Sequence, residues 1–438
     1  MHKARWFTLL TVILCCSACG APSLRHKKDI NHLLAAGEYT TAAQRIERAK
    51  NKEYSRRDRV LYYLDVGAIL HDAQQPQQSD PYFSQAQERI EELFTKSVSA
   101  HAARYVLNDL TAPYVPAPYE RSLTYYYRAM NFLSQGDIGG ALVEANRAVY
   151  YLDKLRDSKK AGWRDDPFVQ YFMSLVFESA GKRDDARIAR TRANQAYAAL
   201  GGNGGVPPEI LFSQPIEGWG EVILIHANGT IPLKKSKTFQ VAWGDVFLWM
   251  ESASEGDANV SPEVRNAISA GILGNAITVA YPVLEEQPFQ IKSSEVVTSQ
   301  GRVYPTRLMG DIAGAAQSDL QENEAATLFR LAVRAAAKRV AAVQARNAAT
   351  QAAKDDTVGQ LAEMFVSFLG ALTEKADTRQ WFTLPAQMRM TRFYVPPGKQ
   401  EIVLRFRNGF GKIIGEHTFT DIVVPAGGRI YLHYRTAQ

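Results

Sequence analysis

The chain has 438 residues, of which 46% are hydrophobic and 22% charged, and this composition excludes a wholly disordered or fibrous protein. At about 150 residues per domain, the length predicts roughly three domains. The net charge of +6 is mild and forms no basic block, so nucleic acid is not expected as a partner. Only the extreme N-terminus is apolar enough to engage a membrane, which excludes a polytopic membrane protein.

The N-terminus has the pattern of a signal peptide. Two basic residues precede an apolar run over residues 6–14, which is too short for a membrane-spanning helix of about 20 residues. The sequence Ser17-Ala18-Cys19 that follows resembles the bacterial lipobox. This resemblance implies that residues 1–18 are a signal peptide and residues 19–28 a lipidated tether, with acylation at Cys19. An ordinary secretory signal with a coincidental cysteine is the alternative.

Acylation of Cys19 would decide the cysteine chemistry and the location of the protein. All three cysteines lie at positions 15, 16 and 19, so the mature chain would keep one, and that one would carry lipid. An internal disulfide, a thiol nucleophile and a cysteine-ligated metal are then not expected. Gly20 follows the cysteine, which resembles the outer-membrane signal of Gram-negative lipoproteins. We therefore expect the protein at the periplasmic face of the outer membrane, held by its acyl chains.

Residues 29–200 are predicted to form a helical array that resembles tetratricopeptide repeats. Gly-x4-Ala elements begin at Gly37, Gly136 and Gly181, each between segments of helical periodicity. In such repeats the glycine ends the first helix in a left-handed conformation, and the small alanine lets the second helix approach. A fourth, degenerate unit is predicted over residues 62–93, with its turn expanded to residues 73–81. Because the spacing of the units is irregular, an unrelated helical bundle is the alternative.

The helical region is rich in tyrosine, for example at residues 62–63 and 125–127. Neighbouring residues on a helix are about 100° apart, so at least one ring of the 125–127 run should point away from the core. The first helices of stacked repeats line a concave face that receives peptides. We therefore predict that at least one of four side chains is exposed in a partner-binding groove: Tyr62, Tyr125, Tyr126 and Arg128. Scattered packing of amphipathic helices is the alternative.

A glycine- and proline-rich linker is predicted at residues 201–208, followed by a small central β-rich domain over residues 209–316 that contains a sheet and one helix. The turn sequence Asn228-Gly229 predicts a β-hairpin at the start of this domain. The predicted elements are hairpin strands at 221–226 and 230–234, further strands at 239–250 and 275–281, and a helix at 262–271.

The last two predicted units differ in period. Residues 317–376 have helical periodicity and predict a helical hairpin that packs on its neighbours; a membrane-surface or partner-insertion element is the alternative. Residues 377–438 alternate apolar and polar residues and predict a small antiparallel β-sandwich. Within it, the glycine-rich stretch 409–415 is predicted to be a hairpin and not a phosphate loop, because no helix follows it. The expected fold class is therefore a multidomain α+β protein.

No residue pattern typical of catalysis is found in the sequence. The eight histidines are scattered, and neither H-E-x-x-H nor G-x-S-x-G occurs. Acidic pairs such as Asp165-Asp166 are expected to be solvated charges. We therefore predict no catalytic residues, no metal and no cofactor, and a protein that is not an enzyme.

Several stretches carry a family resemblance: Asn108-Asp109, Tyr114-Val-Pro-Ala-Pro-Tyr119-Glu120-Arg121, Ala141-Leu-Val-Glu144-Ala-Asn-Arg147, and Asp377-Thr-Arg-Gln-Trp381 with Leu384-Pro385. With the order of elements, they are similar to a proteobacterial family of predicted outer-membrane lipoproteins whose N-terminal halves resemble tetratricopeptide repeats. The family implies no activity. Its members are often encoded beside lipoproteins of the penicillin-binding-protein-activator type, which implies a role in envelope assembly.

The resemblance favours an interaction scaffold that binds an envelope protein and reaches the membrane through its acyl chains. A structural part of a secretion, pilus or flagellar-associated complex is the second hypothesis. An enzyme acting on the cell wall or on polysaccharide is the third.

Overall fold

The computed structural model describes residues 22–96, 112–156, 165–200, 215–242, 276–334 and 376–438, without positions 325, 329 and 333. It is a mixed α+β structure, as predicted. Consecutive helices of the N-terminal half pack side by side and form one layer. These helices are α1 (Leu24–Ala35), α2 (Tyr39–Ala49), α3 (Arg59–Asp72), α4 (Pro76–Lys96), α5 (Pro118–Ser134), α6 (Ile138–Arg156), α7 (Pro167–Ser179) and α8 (Arg183–Ala199).

Three helix pairs are joined by the predicted glycine turns. Gly37, Gly136 and Gly181 have φ angles of 75°, 76° and 72°, in the left-handed region that a side chain with a Cβ disfavours. The alanines that lie five residues later are buried between the two helices of each pair: Ala42, Ala141 and Ala186. The predicted helix junctions are therefore confirmed.

The turn between α3 and α4 is shorter than the sequence predicts. Gln74 takes the left-handed position with a φ of 59°, and α4 begins two residues later at Pro76. Proline is well tolerated in the first turn of a helix because the N–H that it lacks would have no helical partner there. The expanded turn predicted over residues 73–81 is therefore wrong, since residues 76–81 are helical.

Described residues between 324 and 334 of the second half are helical. The other described elements of this half are strands and one helix. They are β1 (Gly220–Asn228), β2 (Leu233–Ala242), β3 (Ala276–Glu285), β4 (Ser293–Thr298), β5 (Val303–Pro305), β6 (Arg307–Asp311), α9 (Ile312–Glu322), β7 (Gln387–Val395), β8 (Gly398–Arg407), β9 (Ile413–Val424) and β10 (Arg429–Thr436). The strands form a first sheet of order β10-β1-β7-β6, a second sheet of order β5-β4-β8-β9, and the pair β2-β3.

Strand β1 is the centre of the first sheet and is buried along its whole length. It pairs in parallel with β10 and antiparallel with β7, so both of its edges are occupied by C-terminal strands. The hairpin predicted around Asn228-Gly229 is therefore wrong, because β2 pairs with β3 instead. The physical reason is that β1 is apolar on both faces, as expected of a central strand covered on both sides.

The separate C-terminal β-sandwich predicted over residues 377–438 is also corrected. Of its four strands, β7 and β10 belong to the first sheet, whereas β8 and β9 belong to the second. Both sheets need strands from the preceding 220–311 region, and their facing side chains form one core, for example Val222, Phe393, Val296 and Leu404. The hairpin predicted for residues 409–415 is confirmed as the β8–β9 turn.

The other face of the first sheet packs on the helices. Ile223, Ile225 and Met388 lie in the same hydrophobic core as the buried residues of the helical layer. The order of layers is therefore helices, first sheet, second sheet. The predicted boundary between the helical array 29–200 and the β-rich domain that follows it is corrected, because helices and first sheet share one hydrophobic core. The tether predicted over residues 19–28 is shorter than expected, because α1 begins at Leu24 and Lys27 is buried.

Some predicted elements lie outside the described residues. They are the signal peptide, Cys19, the linker 201–208, the helix 262–271, the end of the strand 239–250 and most of the helical hairpin 317–376. Among the helices that are described, none is long and apolar enough to cross a membrane.

Candidate functional site

The four side chains predicted to line a groove are all buried. The exposed fractions of Tyr62, Tyr125, Tyr126 and Arg128 are 3%, 5%, 0% and 8%. The prediction that at least one of them is an exposed groove residue is therefore wrong. The reason is that α3 and α5 are covered on every side, by their neighbouring helices and by the first sheet.

The individual contacts show how α5 is enclosed. The Tyr126 ring faces the sheet side, where it lies 4.8 Å from Phe172 and its hydroxyl lies 3.4 Å from His433 Nδ1. The Tyr125 ring turns towards α6 and lies 6.0 Å from Tyr151. Three successive rings can therefore all be buried when a helix has partners around its whole circumference.

Arg128 is the one predicted residue that reaches a surface cleft among the described residues. Its guanidinium donates to Asp80 at 2.8 Å, to Gln87 at 2.7 Å and to Glu144 at 2.9 Å. This network is the floor of a cleft of about 460 Å³ between α4 and α6, whose walls include Phe132. Because Arg128 donates to residues of both α4 and α6, its side chain links these two helices.

The inner side of the helical layer is occupied by an extended segment, residues 377–384, which we call the clasp. Polar groups from several helices and their connections hold it. Lys27 Nζ donates to the Thr378 carbonyl at 2.6 Å, Arg379 pairs with Asp58 at 3.2 Å, Glu120 accepts from the Trp381 N–H at 2.9 Å, and Asp65 accepts from the Thr383 hydroxyl at 3.0 Å. The clasp thus occupies the inner side of the helical layer along these contacts.

Trp381 is the centre of the clasp and has no exposed surface. Its ring lies 5.6 Å from Tyr127 and 5.9 Å from Phe83, and its indole N–H donates to Thr383 Oγ1 at 3.0 Å. Aromatic contacts at these distances add to the apolar area that the ring buries. The clasp therefore fills the space between the helices and the first sheet with an apolar ring and also links the two halves of the chain by hydrogen bonds.

The ionisable groups around the clasp are shifted by their burial. Burial raises the pKa of Asp65 well above its usual range and also raises the pKa of Glu120. Burial lowers the pKa of Lys27 to about 8. Each of these groups has a hydrogen-bond partner in the clasp, and such complete pairing is what makes buried polar groups tolerable.

Two of the stretches that carry the family resemblance meet at this clasp. Glu120 accepts a hydrogen bond from the Tyr114 hydroxyl, and the Arg379 guanidinium lies 5.8 Å from the centre of the Tyr114 ring. Sequence reasoning did not find the other partners, Lys27, Asp58 and Asp65. The one available signal was Asp65, which is an acid in the middle of the apolar run of α3.

A second buried polar cluster lies where α3 ends against β10. One atom each of His71, Asp72 and His433 lie within 4.8 Å of one another, and His433 Nε2 is 3.0 Å from Asp72 Oδ1. Arg435 is buried beside them, with its Nε 3.4 Å from the second Asp72 oxygen. Because this guanidinium already neutralises the carboxylate, a divalent cation would add uncompensated buried charge, so the donor set fits a metal poorly.

A cleft of about 960 Å³ lies at the turn end of the helical layer. We call it the turn-end cleft. Its walls are the Gly136 turn, residues 215–219 and the β9–β10 connection. The apolar side chains of Ile138, Ile216 and Val423 are exposed there, and Val423 is 63% accessible.

The floor of the turn-end cleft is a paired charge network. Glu221 accepts from Arg392 at 2.7 Å and from Arg429 at 2.6 Å, while Glu178 accepts from Arg429 at 2.9 Å. These groups neutralise one another, so the floor fixes the end of α7 to the sheet.

One wall of this cleft is the outer edge of β10. In β10, the backbone N–H and C=O groups of even-numbered residues point towards β1, since the Gly428 carbonyl accepts from the Glu221 N–H. Those of odd-numbered residues point away from β1. The outward carbonyls of His433 and Arg435 are satisfied by Gln74 and Tyr39 of the helical layer. By alternation along the strand, the outward groups of Arg429 and Tyr431 face the cleft, and no described residue pairs with them.

Comparisons with protein-family models, curated proteins and solved structures each returned no match. They therefore neither confirm nor refute the family resemblance, and the site is judged on its geometry alone.

Proposed function

We propose that this protein is an outer-membrane-anchored periplasmic lipoprotein that acts as an interaction scaffold in the cell envelope, acylated at Cys19. We propose that the partner binds in the turn-end cleft. The observation that carries this is that one cleft combines exposed apolar side chains with a strand edge that no described residue pairs with. The inner face of the helices is not available to a partner because the clasp already fills it.

The occupant that fits the cleft is an extended segment of a partner protein. Such a segment can add to the β10 edge through main-chain hydrogen bonds to Arg429 and Tyr431. Its side chains would then contact Ile138 and Val423 on the cleft walls. Main-chain pairing supplies affinity, and the apolar walls select alternate side chains along the segment.

We also propose that the helix pairs are degenerate units related to tetratricopeptide repeats. We propose further that the two sheets form a β-sandwich whose strands come from residues 220–311 and 387–436. The left-handed glycine turns and the buried alanines support the first statement. The shared core of the two sheets supports the second.

The anchor is tested by Cys19→Ala. This variant should lose the acylation site and leave the outer-membrane fraction, whereas Cys16→Ala should keep the location of the parent protein. A processed Cys19→Ala protein that still sediments with the outer membrane after a high-salt wash would show that the anchor is not the lipid.

The cleft is tested by a photo-crosslinking residue placed at Val423 in intact cells. Phe410 is the matched control, because it is 98% exposed on the β8–β9 turn, away from the cleft. We expect a crosslinked envelope protein from position 423 and none from position 410. Crosslinks of equal yield from both positions, or a crosslink within the chain to residues 201–214, would contradict the proposal.

The mode of binding is tested at Tyr431. Tyr431→Pro removes the outward N–H of the strand edge together with the ring that lies 6.1 Å from Phe172, so its melting temperature is measured beside the crosslink. Tyr431→Phe keeps the ring and removes only the hydroxyl, which contacts Ser179 and the Leu175 carbonyl. We expect Pro to abolish the crosslink and Phe to keep it. The identity of the partner then separates a role in envelope synthesis from a role in a secretion, pilus or flagellar-associated complex.

A further inference from the structure

One end of the helical layer lies where the chain enters the fold. The N–H of Ser23 donates to Glu53 Oε2 at 2.9 Å, so the start of α1 touches the segment that follows α2. The ion pair between Asp29 and Arg45 at 2.5 Å shows that α1 and α2 run antiparallel here. The first turn of α1, the last turn of α2 and residues 50–57 therefore share one surface.

This surface is strongly basic. Its exposed cations, which we call the anchor-side patch, are Arg25, Arg48, Lys52, Arg56 and Arg57. Within the described part of the chain, none of these five has an ion pair. Three acids lie nearby: Glu53 accepts from the Ser23 N–H, Glu47 accepts from the Tyr82 hydroxyl at 2.6 Å, and Asp58 is buried against Arg379. The five cations therefore outnumber the acids of this surface.

The patch lies close to the proposed lipid. Cys19 is four residues before Ser23, and four residues span at most about 14 Å even when fully extended. Acyl chains on Cys19 would therefore hold this end of the helical layer against the membrane surface. The screening length at physiological ionic strength is about 8 Å, so cations that touch the headgroups are within reach of their charge.

We propose that the anchor-side patch binds the anionic phospholipid headgroups of the leaflet that carries the acyl chains. Its place at the membrane rests on the proposed acylation of Cys19, whereas its affinity for anionic lipid does not. Each cation near an anionic surface strengthens binding roughly fivefold. Lipid and patch together would fix the orientation of the protein, so that the turn-end cleft at the opposite end of the helices faces away from the membrane.

The test uses the unacylated mature chain, made with Cys19→Ala and without the signal peptide, so that the patch is measured apart from the anchor. We expect it to cosediment at low salt with vesicles of equimolar phosphatidylcholine and phosphatidylglycerol, but not with phosphatidylcholine alone. Added salt should release it. The triple variant Arg48→Gln, Lys52→Gln, Arg56→Gln should weaken the partition roughly 100-fold, and its melting temperature should be unchanged because all three side chains are exposed.

The matched control makes the same change of charge at the glycine-turn end: Lys182→Gln, Arg183→Gln, Arg187→Gln, all exposed. It should bind the vesicles like the parent chain. If both triple variants lost vesicle binding equally, the binding would depend only on net charge, and the proposal would be overturned. Binding that does not require phosphatidylglycerol would also overturn it. Failure of the Cys19 fractionation experiment would instead overturn the anchor and leave the vesicle result standing.

Discussion

The inner side of the helical layer and its turn end differ in what covers them. On the inner side, the clasp and the first sheet bury aromatic and charged side chains such as Trp381, Tyr126 and Glu120. At the turn end, the apolar residues Ile138 and Val423 are exposed beside a strand edge that no residue in the described ranges pairs with. The comparison shows that aromatic and charged residues on a helix indicate a contact surface. Whether that surface contacts another part of the same chain or a partner depends on the tertiary fold.

The two regions also differ in how their polar groups are satisfied. Around the clasp, buried carboxylates from α3 and α5 accept hydrogen bonds from residues more than 200 positions away, as Glu120 does from Trp381. Removing one partner of such a pair would leave a desolvated group without compensation. At the cleft, the groups that have no partner among the described residues belong to the backbone of β10, and water or a partner strand can satisfy them.

The largest expected effect is on the inner side. Trp381→Ala should lower the free energy of unfolding by about 3–5 kcal/mol, because it leaves a cavity between helices and sheet. Helical circular dichroism and the near-ultraviolet signal should be lost in one transition, since both halves share a core. Phe410→Ala is the control, with an expected change below about 0.5 kcal/mol. Helices that melt separately from the sheets would contradict the role of the clasp.

A smaller effect is expected from pH. Burial lowers the pKa of His71 from 6.5 to about 3, so between these values the unfolded chain binds more protons than the folded chain. Stability is then fully present above pH 6.5 and is lost as the pH falls. Between pH 7 and pH 5 the loss from this group should be about 2 kcal/mol.

Urea unfolding at the two pH values measures this loss. His71→Gln, which can still donate to Asn131, should remove that part of the pH dependence, whereas the exposed His32→Gln should retain it. The groups that face His71 are Asp72, His433 and Tyr127, with Arg435 behind Asp72. An unchanged pH dependence in His71→Gln would contradict the assignment of this loss to His71.

The sequence predicted the local features well because their causes are local. A left-handed glycine that follows a segment of helical periodicity ends the helix, as Gly136 does, and alternation of apolar residues marks β7 and β8. The pairing of strands was not predicted, because β1 and β10 are about 200 residues apart and no short pattern specifies their contact. Gly229 is a true turn with a φ of 70°, but the chain leaves it towards β3 and not back along β1.

The candidate site was harder to predict than the fold. Helical spacing correctly indicates that three successive tyrosines cannot share one face, but it does not indicate that α5 has partners on all faces. Periodicity of a single helix reports one buried stripe, and a helix in a middle layer has more than one. Asp65 is the informative exception, since an acid inside an apolar helix must find a buried donor, and the clasp supplies it.

The last prediction makes the same substitution in both regions, and the smallest expected change in stability is the one at the cleft. Val222→Ser lies between the sheets with no exposed surface, so it should lower the free energy of unfolding by about 2–4 kcal/mol through lost packing and a buried hydroxyl. Val423→Ser lies on the wall of the turn-end cleft and should change stability by less than about 0.5 kcal/mol. The same Val423→Ser change should reduce the partner crosslink from a photoreactive residue at Ile138, because it removes apolar surface that the bound segment contacts. A large loss of stability in Val423→Ser would mean that another part of this chain covers the cleft, and the region would then be an internal contact like the clasp.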